Sequence, residues 1–303
     1  MKILLFGKNG QLARRLYISL LPLGEVIVYS SKDLDFRNFE KLKKVIRIHK
    51  PDTIINAAGY TDVEGAQSNI DVVFAINSEA VKIIAKEASA INAWLIHYST
   101  EYVFDGTKNG AYTENDIPNP LNVYAESKLV ADNHIQSICQ KYIILRTSWI
   151  YDSYGKNFAK TILALAKKNK FLKVVSDQIG APTHASLIAN VTSFILYRII
   201  TGYSSIIAEQ LSGIYNLSAS GEISWHGFAS ALIKQAHEFG NKLSCSFENV
   251  IPIFSKDYTT AVTRPMNSRL DNSKLANKFG IVLPRWELYV PYLLEELRIM
   301  KVI

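Results

Sequence analysis

Tyr124 and Lys128 stand four residues apart in Tyr124-Ala125-Glu126-Ser127-Lys128. Residues at that spacing share one face of a helix, so both side chains would enter one site. A free phenol has a pKa of about 10, and a neighbouring ammonium favours the phenolate and lowers that value. The pair therefore suits proton transfer at a reacting oxygen. Thr100 follows the apolar run Trp94–Ser99. In an open parallel sheet, ligands bind beyond the carboxyl ends of the strands. A hydroxyl placed there can hydrogen-bond a carbonyl oxygen on which negative charge develops.

A lone Tyr-x-x-x-Lys is usually a solvated helix face, and a second feature gives this one weight. Gly7-Lys8-Asn9-Gly10-Gln11-Leu12-Ala13 follows the apolar strand Lys2–Phe6 and opens a helical pattern. Gly7 and Gly10 would let the backbone approach a pyrophosphate, with N–H groups of the helix N-terminus facing its charge. The end of the second strand selects the nicotinamide cofactor. An acid there bonds the adenosine ribose, and a basic residue accommodates a 2′-phosphate. The chain reads Tyr29-Ser30-Ser31-Lys32, with Asp33 and Asp35 slightly later. This pattern leaves NADPH and NADH both open and leans to NADPH.

The elements that must position these residues alternate strand with helix. Strands are predicted at Lys2–Phe6, Glu25–Tyr29, Thr53–Asn56, Trp94–Ser99 and Tyr142–Arg146, with helical spacing at Phe39, Leu42, Val45 and Ile46 and at Val73, Ile76, Val81, Ile84 and Ala88. Such alternation predicts an α/β fold, a Rossmann-type doubly wound parallel sheet. Residues 1–150 would form the dinucleotide-binding domain. Residues 151–303 would form a smaller, interleaved substrate-binding α/β part, with some segments returning to the first domain. Its helices are expected at Asn157–Lys168, Leu187–Thr201, Trp225–Phe239, Asn272–Phe279 and Trp286–Arg298, with strands near Leu172–Val175 and Ile214–Leu217.

Composition bounds the remaining classes. The 303 residues are 48% apolar and 20% charged, with a net charge of +7. This excludes wholesale disorder and leaves room for two domains. Cys139 and Cys245 are too few for a disulfide framework or a four-thiolate metal site, which favours a reducing cytoplasm. The longest charge-free run, Gln178 to Tyr197, is broken by polar residues and does not read as a membrane span. Lys41, Lys43, Lys44 and Arg47 read as a solvated helix face, as do Lys167, Lys168 and Lys170. No nucleic-acid partner is expected, and the charge suits anionic small molecules.

Longer segments carry a resemblance. They are Ile3 through Leu12, Asn56-Ala57-Ala58-Gly59-Tyr60-Thr61, His97 through Phe104, Pro120-Leu121-Asn122-Val123-Tyr124, Arg146 through Tyr151, Asn157 through Thr161, Asp177 through Thr183, and Arg264 through Asp271. In these the chain resembles the extended short-chain dehydrogenase/reductases and, among them, the dTDP-4-dehydrorhamnose reductase family, over nearly its whole length. The resemblance implies reduction of a C4 keto group on a dTDP-4-keto-6-deoxy sugar by NADPH or NADH. It implies Thr100, Tyr124 and Lys128 as the catalytic set. Gly7, Gly10, Gln11, Leu12, Ser30, Asp35, Phe36, Ala57, Ala58, Gly59, Tyr60, Thr61 and Lys128 would meet the cofactor. Thr100, Glu101, Val103, Phe104, Trp149, Asn157, Arg264 and Arg269 would meet the sugar nucleotide, and one of the two arginines is expected to face its diphosphate.

Related dehydratases carry an Asp-Glu pair after the threonine, whereas here Glu101 is followed by Tyr102. That argues for reduction over elimination. A dinucleotide-binding regulatory subunit, similar to the beta subunit of methionine adenosyltransferase, and a reductase of another 4-keto nucleotide sugar are the competing readings. No carboxylate cluster stands at metal-ligand spacing, Arg14 and Arg15 would repel a cation, and no site-bound metal is expected. His97 reads as a packed core histidine, and Trp225 and Trp286 as packing residues. The choice of dTDP or UDP and the formation of a homodimer stay open.

Overall fold

The computed structural model describes residues 1–202 and 210–302. Its central sheet is built from β1 (Lys2–Phe6), β2 (Glu25–Tyr29), β3 (Thr53–Asn56), β4 (Trp94–Thr100) and β5 (Tyr142–Thr147). The short strands β6 (Ile150–Tyr151), β7 (Leu172–Val175), β8 (Ile179–Gly180) and β9 (Thr183–His184) follow, and β10 (Gly213–Asn216) returns to the sheet. The strand order is β10-β5-β4-β3-β1-β2, with every pairing parallel. The order reverses direction between β1 and β3, the place where such sheets open a ligand crevice.

Side chains along a strand alternate between faces. Ile3, Leu5, Ile55, Ile96, Ile143 and Leu145 accordingly pack on one face, against α1 (Gln11–Leu20). Leu4, Phe6, Ile54, Leu95 and Ile144 pack on the other, against α2 (Phe39–His49). Both faces are covered, so the strands read as continuous apolar runs. The helices α3 (Val63–Ala66), α4 (Ile70–Phe74) and α5 (Ala80–Ala90) connect β3 to β4, and α6 (Val123–Ile138) connects β4 to β5.

Beyond β5, α7 (Phe158–Lys168), β7, the helix Trp225–Glu238 and the strand Val250–Ile253 enclose a smaller core of Ile162, Ala166, Leu172, Val174, Ala229, Ile233, Cys245 and Val250. The helix α8 (Ala185–Thr201) belongs to the sheet side and packs on α1. It starts two residues earlier than its periodicity indicates, because the His184 ring accepts a hydrogen bond from the Ser186 N–H at 3.2 Å and caps it. The last predicted helix opens as a 3-10 turn at Trp286–Leu288 and runs on to Ile299.

Arg15 on α1 bonds Asp152 at 2.7 Å and also Glu296, tying the first helix to the last. Among the described residues, no three His, Cys, Asp or Glu side chains gather as metal ligands, and no helix is long and apolar enough to cross a membrane.

Candidate active site

The turn after β1 is shaped by contact. Gly7 has φ of +102°, and a Cβ there would lie 2.6 Å from the Ala57 carbonyl oxygen. Only glycine permits this approach of the β1 turn to the end of β3. The Gly10 N–H donates to the Gly7 carbonyl at 2.7 Å, and Gly10 then caps α1 without any side-chain bond. The first turn of α1 also carries no acidic residue. Its N–H groups are therefore available to an anion, which fits the pyrophosphate of a dinucleotide. Leu12 is buried and Gln11 half-buried, with the Gln11 side-chain oxygen accepting from Asn157 at 3.3 Å.

The end of β2 differs from its sequence reading. The Asp33 carboxylate folds back onto Ser30, accepting from its N–H at 2.9 Å and from its hydroxyl at 2.6 Å. An acid does stand at the strand end, held well ionised by those bonds and by Lys8 and Lys41. Asp35 is exposed and paired with Arg37 at 2.7 Å, while Phe36 packs edge-on against Phe6.

Tyr60 is fixed by a residue that the sequence reading passes over. Asn77 accepts from the Tyr60 N–H at 2.8 Å, donates to its carbonyl at 3.1 Å, and donates to Ser127 Oγ at 3.0 Å. Ser127 in turn donates to the Tyr124 carbonyl at 2.7 Å. Asn77 thus links the Ala57-Ala58-Gly59-Tyr60-Thr61 edge to the helix of Tyr124 and Lys128. It lies in a π-helical turn, Ala75–Glu79, a distortion that interrupts the apolar helical spacing. Its sequence signal is the polar pair Asn77-Ser78 amid apolar helical spacing, and the structure buries both.

α6 begins at Asn122, whose side-chain oxygen accepts from the Ala125 N–H at 2.9 Å. This start presents Tyr124 and Lys128 to the carboxyl end of β4, where the Thr100 hydroxyl faces the Tyr124 phenol. Burial raises the Tyr124 phenol well above its ordinary range, and Glu101 and Tyr102 add to the shift. The Lys128 side-chain nitrogen donates to the Tyr98 carbonyl at 2.6 Å and lies 3.0 Å from the His97 ring. Burial pulls Lys128 down to about 8. Glu101 is buried, 2.9 Å from Thr100 Oγ1, and desolvation pushes it up to about 8 against the hydrogen bonds of Thr100 and Ser268.

The residues expected to meet the sugar nucleotide divide. Trp149 is half-buried with φ of +48°, an unusual value for a bulky residue, and one ring face is stacked on Trp225 at 3.5 Å. Gly180 leaves room for its edge, since a Cβ there would lie 2.7 Å from the ring. Val103 and Phe104 turn into a buried apolar cluster with Tyr112 and Leu270, Phe104 stacking on Tyr112 at 4.3 Å. Their side chains serve packing, because the 3-10 turn Glu101–Val103 rotates them inward. Asn157 caps α7 and bonds Gln11 and the Asp152 carbonyl, which sets it beside the glycine turn instead of Thr100.

Neither arginine is free in this structure. Arg264 bonds Glu64 at 3.0 Å, and Arg269 bonds Asn267 at 2.8 Å and Glu222 at 3.2 Å. A cleft of about 790 Å³ between α1, α8 and Tyr292 includes Lys8 and Asn9 but none of Thr100, Tyr124 and Lys128. Chemistry and geometry favour the sheet edge over that cleft.

Residues 1–299 match the family described as RmlD substrate binding domain. The chain is 41% identical over 301 residues to dTDP-4-dehydrorhamnose reductase of Escherichia coli (strain K12), covering 98% of each. It superposes on a dTDP-4-dehydrorhamnose reductase of Clostridium acetobutylicum with a TM-score of 0.87, at 32% identity, covering 98% of this chain and 100% of that one. The enzyme of Bacillus anthracis, solved in complex with NADP, gives a TM-score of 0.86 at 30% identity, over 97% and 99% of the two chains. The sheet with its glycine turn, and the Tyr124–Lys128 helix at its carboxyl edge, thus sit in a chain that belongs to the dTDP-4-dehydrorhamnose reductase family.

Proposed function

We propose that the protein reduces the C4 keto group of dTDP-4-dehydro-L-rhamnose, giving dTDP-L-rhamnose for cell-surface polysaccharide. NADPH or NADH, when bound, supplies the hydride. The observation that carries this reading is the meeting of the Tyr124 phenol with Thr100 at the carboxyl edge of the sheet, beside an uncapped helix N-terminus.

The open N–H groups of α1 hold the pyrophosphate charge. Tyr124, kept protonated by burial, gives its proton to the C4 oxygen as negative charge develops there. Thr100 donates a hydrogen bond to the same oxygen, and Glu101 orients the threonine. Lys128 holds the cofactor ribose hydroxyls from the same helix face. The free face of Trp149 stacks on the nucleotide sugar. Reduction is favoured over elimination because Tyr102 occupies the position where dehydratases carry a second acid.

The test is oxidation of NADPH and NADH with enzymatically prepared dTDP-4-keto-6-deoxy sugar, run beside its UDP counterpart. Turnover with the dTDP sugar supports the reading. Cofactor binding without turnover of either sugar overturns it in favour of a regulatory subunit.

A further inference from the structure

Lys128 is buried, with the Tyr98 carbonyl as acceptor at 2.6 Å and the His97 ring at 3.0 Å. A carbonyl and an uncharged ring offset only part of the cost of taking an ammonium out of water. A further compensation stands one turn along α6. Asp132 follows Lys128 by four residues, on the same helix face, and is fully buried. The two side chains meet β4 at consecutive residues. Lys128 bonds Tyr98, and the Ser99 hydroxyl donates to Asp132 Oδ2 at 2.9 Å. Ser99 registers with Arg146 of β5, whose Nε donates to the same Oδ2 at 3.3 Å.

The other titratable groups facing this pair carry no charge at pH 7. Burial keeps His97 neutral, with its Nδ1 3.2 Å from Asn56 of β3, and it keeps Tyr124 protonated. Glu101, which faces Tyr124, is pushed up to about 8. Glu79 of the π-helical turn meets α6 at His134, away from the buried face. Among the described residues, Asp132 is thus the anion that acts on Lys128.

An ion pair kept for stability alone is best built as a fork, with two guanidinium N–H groups on two carboxyl oxygens. Here Oδ2 takes both bonds, and Asp132 Oδ1 and Arg146 Nη1 bond nothing among the described residues. Replacing such a buried pair by apolar side chains is often neutral for stability. What the arrangement does provide is two cations and a hydroxyl donor around one carboxyl, opposing the protonation that burial favours. The ionised carboxyl in turn opposes loss of the Lys128 proton.

We propose that Asp132, kept ionised by Arg146 and Ser99, is a positioning residue that holds Lys128 as an ammonium. The role deepens the reductase reading and rests on it for the use of that charge. A charged lysine donates to the cofactor ribose hydroxyls and stabilises the phenolate left when Tyr124 gives up its proton.

The test is carbon and nitrogen NMR of the full-length protein labelled at lysine and aspartate. Lys128 is assigned by its loss in Lys128→Arg, and Asp132 through its backbone neighbours. Asp132→Asn removes the charge and keeps an acceptor for Ser99 and Arg146. In it the Lys128 midpoint should fall by about one pH unit or more, a tenfold loss of proton affinity. NADPH affinity, followed by fluorescence, should decline as pH rises through that midpoint, and so at a correspondingly lower pH in the variant. In the unmodified protein the Asp132 carboxyl should be ionised at pH 7. An unmoved Lys128 midpoint in a folded Asp132→Asn overturns the proposal. So does a protonated Asp132 at pH 7, which is read whether or not the variant folds. A moved midpoint with an unmoved NADPH profile upholds the proposal and counts against the reductase reading alone, since it removes Lys128 from the cofactor.

Discussion

Thr100 Oγ1 and the Glu101 carboxyl lie 2.9 Å apart, and both residues are buried. The threonine oxygen also accepts the Tyr102 N–H at 3.2 Å. The Thr100 hydroxyl donates to the Glu101 carboxyl, and a neutral Glu101 accepts more weakly, which frees the threonine proton for a substrate oxygen. An ionised Glu101 takes that proton instead. Burial pushes Glu101 up to about 8, so the neutral form prevails at pH 7.

The raised value has a stability consequence. Below the ordinary carboxylate range Glu101 is protonated both folded and unfolded, and nothing is lost. As pH climbs from that range to about 8 the unfolded chain gains from ionising and the folded one does not. Glu101→Gln should therefore melt above the parent at pH 9, by about 3 °C or more, with little difference near pH 4. Thermal melts across that window decide it, and a gap that is constant with pH would contradict a neutral Glu101.

Tyr124→Phe removes the proton that burial has kept on the phenol. Its kcat should fall by about 10²–10⁴-fold, the usual worth of a placed proton donor. NADPH binding, followed by fluorescence, should stay within about twofold, because the phenol is assigned to the sugar oxygen. Lys128→Met should weaken cofactor binding and kcat together, since Lys128 is assigned to both.

Asn77→Ala strips the Tyr60 N–H and carbonyl and the Ser127 hydroxyl of one partner each. Leaving such groups unpaired costs about 1–3 kcal/mol. The loss should appear in urea unfolding and as a raised Kd for NADPH, with the KM of the sugar nucleotide little changed. An equal rise in both would place Asn77 on the sugar side instead.

Trp225→Ala should act on the opposite ligand. Trp225 covers one face of Trp149 at 3.5 Å and packs on Phe158 at 4.4 Å. Without that support the left-handed Trp149 loses the stacking that offsets its backbone strain. KM for the dTDP sugar should rise about tenfold while NADPH affinity holds, as steady-state kinetics would read.

What the sequence made legible follows from local chemistry. The runs at Lys2–Phe6, Glu25–Tyr29 and Thr53–Asn56 are strands in the structure because apolar β-formers bounded by turn residues need no partner to be recognised. Gly7 and the Tyr124–Lys128 spacing were legible for the same reason. Contacts set by pairing were not. Nothing in the sequence states that Asn56 registers with His97, so His97 read only as core. Asn77 was hidden by a π-helical turn that breaks the 3.6-residue period. Val103 and Phe104 shared a segment with Thr100, and the 3-10 turn between them reversed their facing. The return of Gly213–Asn216 to the sheet edge beside β5 is a long-range pairing of the same kind.

Cofactor choice turns on a contact that spacing alone disguised. Asp33 stands three residues beyond Ser30, past the place where an acid is sought, yet a turn closed by the Asp33 and Leu34 N–H groups on the Ser30 carbonyl brings it back. Its carboxylate then occupies the end of β2, bonded to Ser30 and flanked by Lys8 and Lys41. A negative charge there repels a 2′-phosphate, and the two lysines attract it. These opposing charges should let both cofactors work. Asp33→Asn removes the repulsive member and keeps an acceptor for Ser30, so kcat/KM for NADPH over NADH should rise about tenfold, most at low ionic strength. Lys41→Gln should shift the ratio the other way. Parallel kinetics with the two cofactors measure both, and a ratio unmoved by Asp33→Asn would remove Asp33 from the adenosine site.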